Sequence, residues 1–452
     1  MSVNLNLRIT GNPFVDSGIF AMSTKLKKNI EEITISDFKD LSSQVSKLYV
    51  KDNWQSTMYS IFPNSKLTSP STAKKDNVDE LYLNVLKQLV EIISPEAKEG
   101  NCIACGTHES IKSYQKTFVP LTGSGSLKNY FSFAKDGADY CPLCILLIQF
   151  SPLVMYRSGG RMILLHSNSE KVMKYWAKKA IKDINNQIIK NDYTGCFNEG
   201  FTNPNNAVFR MIENIIRSYD ERWVDENPSM NFYYFTNYNQ GPELDIFKVP
   251  TNVFRFLAYI PQDEYFNWNL IVKNAYKYVK WDKVESFDDY KNNPNEVYNR
   301  LLKNVSILRF FFTTKNKKAL CSWNLLRYYM MEVRHMEDGR LNAIKNLGDN
   351  LSKYIEDNDE KKILSQLENA SNYNTFRNIL RKIIKKRIAK NEEELLFTFD
   401  DYVNHLFPQG NLTWRETQDL LLFRIYENLH QWLIDNDYVE ELEEDKEVEM
   451  EE

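Results

Sequence analysis

Histidine is scarce in this chain, with five residues (108, 166, 335, 405 and 430) among 452. They form no HExxH, no His-Asp pair and no helical metal pair. GxSxG, GxGxxG and the glycine-lysine phosphate loop are also missing, which removes the common hydrolase, dinucleotide and P-loop signatures. Glycine and proline are few, at 15 and 14. So low a supply of turn residues argues against a many-turned β-sandwich and for long helices. The apolar stretch Ile145–Ile148 is far too short to span a bilayer. The first residues lack the basic flank and apolar core of a signal peptide. The expectation is a cytoplasmic protein with no membrane partner, in which cysteines hold metal or stay free rather than pair.

What is abundant is aromatic: 26 Tyr, 26 Phe and 8 Trp, within a 42% hydrophobic and 26% charged composition. The net charge of −4 is unevenly spread. Residues 435–452 carry eleven acids and one base, −10 in all, so the rest of the chain sums to +6. The tail reads as solvated and disordered, the body as mildly basic.

Val3, Leu5, Leu7 and Ile9 alternate with polar residues and predict a strand. Gly11 and Pro13 break it, and Asp16 or Ser17 can cap a following helix. Helices are predicted near 36–50, 76–93, 169–190 and 205–219, the second capped by Asp76. Gly159-Gly160 predicts a β-hairpin tip, and Gly241-Pro242 a second hairpin. From about 251 the pattern is almost wholly helical. The expected fold is α+β: residues 1–330 form a mixed region with hairpins and a module at about 102–144, 331–434 form a helical bundle, and 435–452 are the acidic tail.

Cys102-Ile-Ala-Cys105 and Cys141-Pro-Leu-Cys144 are CxxC pairs with 35 residues between them. Each turn sets two thiolates on one edge of a loop, and two turns supply the four soft ligands of a tetrahedral zinc site. Four thiolates leave no position for a catalytic water, so the zinc is expected to be structural. His108 reads as an exposed loop residue. Between the pairs, Thr122–Asn129 offers backbone N–H groups, Lys128 and Asn129 to a polyanion. Arg157 and Arg161 bracket the first hairpin tip and suit phosphate or base-edge contact. Seven of the fourteen residues 377–390 are basic and none is acidic. Leu380, Ile383, Ile384 and Ile388 form the expected buried stripe, and Arg377, Arg381, Lys382, Lys385 and Lys386 face a polyanion.

Thr10-Gly-Asn-Pro-Phe-Val-Asp-Ser-Gly-Ile19, followed by the CxxC and CPxC pairs, resembles the large subunit of the type I-B CRISPR surveillance complex, Cascade, in its zinc-cysteine subfamily. The resemblance covers roughly 50 residues. It implies a non-catalytic subunit that recognises a short flanking motif in duplex target DNA, helps open the duplex and recruits a helicase-nuclease. Partners would be guide RNA and the Cascade backbone subunits. The four cysteines match the family's metal ligands, and Asn12 lies in its N-terminal loop. Met330, Met331 and Met336 precede the helical region. They suggest an internal start for small subunits, with Thr413-Trp-Arg-Glu416 as the capping box of the last helix. Two other readings stand beside this one: a stand-alone zinc-module nucleic-acid-binding protein, and a metal-dependent nuclease with dispersed carboxylates.

Overall fold

A computed structural model describes residues 5, 7–93, 100–122, 137–218, 228–238, 241–392, 394–436 and 438. The chain is α+β and divides into two compact units, Met1–Thr251 and Asn252–Glu452. This division falls well before the boundary expected near 330. The residues in between share the core of the second unit: the Phe256 ring lies 5.5 Å from that of Tyr329, and the Tyr329 hydroxyl accepts from Ile307 N at 2.9 Å.

The first unit holds helices α1 (Pro13–Leu26), α2 (Ile35–Tyr49), α3 (Asp52–Ile61) and α4 (Val78–Glu91). Strands β1 (Lys112–Tyr114) and β2 (Ala138–Tyr140) follow, then α5 (Pro142–Phe150). Next come β3 (Tyr156–Ser158), β4 (Arg161–Ser167), α6 (Glu170–Lys190), α7 (Pro204–Arg217), β5 (Met230–Thr236) and β6 (Glu243–Val249). Strands β3 to β6 make one antiparallel sheet in sequence order, so the two expected hairpins are neighbours within it. The Phe14 ring of α1 packs edge-on against Phe235, and the Trp176 ring of α6 against Phe232. Those two β5 side chains point to opposite faces, so a helix covers each side of the sheet. Met162, Ile163, Leu164 and Leu165 of β4 are all buried for that reason.

Two helices are buried on nearly every side and form the centre of the unit. Every residue of α5 is buried, as is Phe14–Ser23 of α1. Their approach depends on Gly18, where a Cβ would lie 2.0 Å from the Leu147 carbonyl oxygen. Side-chain volume at that position would push the two helices apart.

Three local expectations are corrected here. The described residues of 3–9 lie in no strand, although Leu5 and Leu7 are buried as the alternation required. Helix α1 starts at Pro13, with Asn12 as its cap accepting from Phe14 N and Val15 N; Asp16 and Ser17 lie inside it. Proline at the first helical position needs no N–H partner, so the helix begins there. Helix α4 starts at Val78 after Asn77, not after Asp76.

The second unit carries α8 (Thr251–Ala258), α9 (Tyr265–Asn274), α10 (Glu296–Leu302), a short ladder β7 (Phe312–Thr313) and β8 (Lys318–Ala319), and α11 (Trp323–Glu332). Then come α12 (Asp338–Asp357), α13 (Lys361–Glu368), α14 (Tyr373–Ala389), a π-helical turn at Asp401–Leu406, and α15 (Trp414–Asp435). Helices α12 and α15 pack along each other, joined by Arg424 Nε on Asp349 at 2.6 Å. The expected capping box of α15 does not form: Thr413 makes no cap bond, and Glu416 pairs with Arg340 at 3.2 Å. Met330 is fully buried inside α11, and the rings of Phe312 and Trp323 pack on Tyr426 and Phe423 of α15. A product beginning at Met330–Met336 would lack those rings. Among the described residues no helix is long and apolar enough to cross a membrane. Of the tail, 437 and 439–452 lie outside the described residues.

Candidate metal centre

The two CxxC turns are brought together by the β1–β2 ladder. Tyr140 ends β2, and Cys141 follows as the N-cap of α5, its Sγ accepting from Cys144 N at 3.4 Å. Pro142 starts that helix and Cys144 lies in its first turn, so both sulfurs sit at the positive end of the helix dipole. The first turn closes with Gly106 N donating to Cys102 O at 2.9 Å, on a left-handed Gly106 (φ +62°). Ile103 N donates to Asp139 O at 2.9 Å and fixes this turn to β2.

The four sulfurs all lie within 4.8 Å of one another, and Cys105 and Cys141 are 3.8 Å apart. Four thiolates around a tetrahedral centre at about 2.3 Å stand roughly 3.8 Å apart. Cys102, Cys141 and Cys144 are buried and Cys105 half-buried. The donor set, spacing and shielding fit a bound metal ion. Among the described residues this is the one group of three or more such side chains close enough to do so.

Thiol ionisation here is collective. Hydrogen bonds from Cys102, Cys141 and Cys144 hold the Cys105 thiol far below its usual range. Cys102 is pushed up by Cys105 but brought down further by Cys141 and Cys144, to about 6. The bonds of Cys102 and Cys105 drive Cys141 well up, and those two with Cys141 drive Cys144 higher still, with burial adding to both. Four negative sulfurs cannot coexist at this distance without a cation, and a divalent ion at their centre resolves the conflict.

His108 is half-buried, not an exposed loop residue. Its Nδ1 lies 3.5 Å from Cys105 Sγ and 3.0 Å from Thr107 Oγ1, so it can donate to a thiolate without being a fifth ligand.

The Thr10–Ile19 segment is part of the same construction. Asn12 uses its Oδ1 to cap α1 and its Nδ2 to donate to the Tyr140 hydroxyl at 3.1 Å, one residue before Cys141. Arg8 Nη2 donates to Cys105 O at 3.2 Å. Asp16 is almost fully buried. It accepts from Thr10 N, Thr10 Oγ1 and Gly11 N at 2.8–2.9 Å and faces His166 Nε2 at 3.0 Å. A His-Asp pair therefore exists, formed across 150 residues that offered no local signal for it.

Residues 96–156 match a family model described as CRISPR-associated protein (Cas_CXXC_CXXC). The match supports a CRISPR-associated protein. It spans both cysteine pairs, β1, β2 and α5, and stops at the first residue of β3. No curated protein and no solved structure matches the chain.

The residues singled out for nucleic acid are treated unequally by the fold. Lys128 and Asn129 lie outside the described residues. Arg157 and Arg161 do flank a hairpin tip, at left-handed Gly159 and Gly160. They do not converge, however. Ser158 is the cross-strand partner of Arg161 and shares its face, which puts Arg157 on the other. Arg161 is held by Glu243 and by Asp245 (2.9 Å) and covers the Tyr234 ring at 4.9 Å. The half-buried Arg157 side chain has no hydrogen-bond partner among the described residues.

On α14, Arg377 lies over the Tyr373 ring and Lys386 pairs with Glu360, which leaves Arg381, Lys382 and Lys385 exposed with no acidic partner among the described residues. The expected apolar stripe shifts. Ile388 is 66% exposed and Arg387 is buried in its place, bonded to Glu392 and to the Glu394 carbonyl.

Proposed function

We propose that this chain is the non-catalytic large subunit of a type I-B Cascade, and that its four cysteines hold a structural zinc ion. The carrying observation is the four-sulfur cluster inside a segment matching a CRISPR-associated family, with the Thr10–Ile19 segment bonded beside it through Asn12 and Tyr140. Zinc is preferred because it takes four thiolates tetrahedrally, without redox chemistry and with no open position. In this role the zinc module and the sheet beside it form the surface that meets duplex DNA. Guide pairing reads the target and protein reads the flanking motif. Asn12 acts as a positioning residue, since both ends of its amide are engaged within the fold. Arg381, Lys382 and Lys385 supply phosphate contacts for the displaced strand.

The deciding experiment is purification of the native assembly from the source cell, with sequencing of its RNA and weighing of its subunits. A guide RNA of repeat–spacer form together with backbone subunits is the expected result; recovery of the chain alone rejects the reading. The same mass spectra show whether a short product from Met330–Met336 accompanies the full chain. A magnesium-dependent cleavage assay on the isolated protein decides against the nuclease alternative if no cleavage is seen.

Within the assembled complex, Arg157→Ala is expected to weaken DNA binding more than Arg161→Ala. Arg161 would have to exchange two carboxylates for DNA, whereas Arg157 gives up no hydrogen bond. A base-reading contact costs about 1–3 kcal/mol and only on the preferred flanking motif. Equal loss on every flanking sequence means phosphate contact alone. The measurement is an affinity series over targets that differ only in that motif.

A further inference from the structure

The segment Lys273–Lys283 reads Lys-Asn-Ala-Tyr-Lys-Tyr-Val-Lys-Trp-Asp-Lys, four lysines interleaved with three aromatic rings and one acid. It leaves the end of α9 and runs into a short 3-10 turn at Trp281–Lys283. The Tyr278 side chain is 86% exposed, on a left-handed backbone (φ +61°), and it makes no ring contact, hydrogen bond or cation contact among the described residues. A bulky residue in that backbone region is strained, and here no packing offsets the strain. Trp281, 42% exposed, follows three residues later, with Lys273 Nζ over its ring at 5.4 Å.

Trp281 stands on a packed aromatic base. Buried Tyr290 stands between Tyr276 (5.0 Å) and Trp281 (5.1 Å), with Phe287 at 5.3 Å. Lys277 N donates to Pro294 O at 2.9 Å, and Lys283 N to Lys280 O at 2.9 Å. The ammonium groups of Lys280 and Lys283 are exposed, with no acidic partner among the described residues, while Lys277 pairs with Glu296. Of the acids that follow, Asp289 caps its own turn through Ser286 and Glu285 N, and Asp288 pairs with Lys291. Within Lys273–Lys283 the four lysines stand against one acid, Asp282, so the segment itself carries a net charge of +3 beside the exposed rings, with Glu285 and Asp289 following it.

We infer that this loop is a stacking platform for single-stranded nucleic acid. A base lies on the Tyr278 ring and a second reaches the Trp281 edge, while Lys280 and Lys283 hold the phosphates between them. Alternating flat rings and cations suit a strand whose bases are free to stack, and such stacking is tolerant of sequence. A duplex keeps its bases from the rings and gains only the charge. The inference rests on the nucleic-acid-binding part of the function proposed above.

The test is fluorescence anisotropy of the purified full-length chain with a labelled dT oligonucleotide of about 15 nucleotides, long enough to cover one such site. Tyr278→Ala is expected to weaken binding about 5- to 150-fold, the loss of one stacked base. Tyr278→Phe keeps the ring and should bind as the parent does. Lys280→Glu with Lys283→Glu should weaken binding and flatten its salt dependence. Because Tyr278 touches no other ring, its variants should melt with the parent. Unchanged affinity in Tyr278→Ala, or no binding of dT by the parent, overturns the inference, as does loss of a co-purifying protein from Tyr278→Ala without loss of strand affinity. Absence of guide RNA and subunits from the native assembly rejects the Cascade reading while leaving this result standing, so the two can fail separately.

Discussion

Cys141→Ser is expected to take the metal content from one ion per chain to near zero. A serine hydroxyl is a poor ligand for a soft thiolate site, and three sulfurs cannot complete the tetrahedron. The substitution is informative because of where Cys141 sits. It is the N-cap of α5, and serine is a good N-cap, so the helix keeps its start while the centre loses a ligand. Loss of stability then reports the metal rather than the cap.

Structural zinc in small modules contributes on the order of 10–16 kcal/mol of apparent binding free energy, and that binding is coupled to folding. The Cys141 turn is anchored by buried α5, but the Cys102–Cys105 turn is joined to it only through strands of three residues. Residues 100–122 should therefore become protease-sensitive in the variant. Buried Cys196 donates to Pro152 O, and buried Cys321 also lies outside the cluster. Cys196→Ser and Cys321→Ser should keep the full metal complement, which separates loss of a ligand from loss of any thiol. Acid should release the ion as well, because protons compete for the same sulfurs. Elemental analysis of chelator-free protein is the measurement. A metal-free parent, or full occupancy in Cys141→Ser, would sink the assignment.

Features carried by short-range chemistry were legible in the sequence. The two CxxC turns announced the cluster because the ligand spacing is local and only the distance between turns had to be closed by folding. Gly159-Gly160 announced a hairpin because two consecutive left-handed positions admit little else. The basic helix at 377–390 was visible from composition and spacing. What failed was set by tertiary partners. Alternation at Val3–Ile9 marked burial of Leu5 and Leu7 correctly but not of Ile9, which is exposed, and buried coil and strand share that pattern. Arg157 and Arg161 looked paired because they bracket a turn, but the register of β3 on β4 sends them to opposite faces. Thr413 and Glu416 matched a capping box, but Arg340 claims the glutamate. Arg387 is buried within a run read as facing a polyanion, because Glu392, in the turn after the helix, neutralises it.

The clearest case of a site beyond sequence reading is Asp16, and Asp16→Ala is expected to destabilise the first unit by on the order of 3 kcal/mol. Removing this carboxylate takes the acceptor away from two backbone N–H groups, one hydroxyl and His166 at once. Bonds to a charged acceptor count for about 1.5–3 kcal/mol each when intact. Gly11 is exposed and Thr10 half-buried, so water can replace part of the loss there. His166 is largely enclosed, with a side chain 15% exposed, and has less water to turn to. For a unit of this size the melting temperature should fall by roughly 6–12 °C.

Asp16→Asn should fall between parent and alanine, since it keeps one acceptor but turns an N–H toward groups that themselves donate. The consequence reaches the metal through a short chain of contacts. Asp16 folds the Thr10–Gly11 backbone over the start of α1, which sets Asn12 on Tyr140, next to Cys141. Asp16→Ala should therefore bind one metal ion, as the parent does, but surrender it faster to a chelator. A chelator-exchange time course beside thermal melts checks both halves. An unchanged melt would mean that Asp16 is not the fastening point of the N-terminal loop; a changed melt with unchanged exchange would mean that the loop and the cysteine centre are only neighbours.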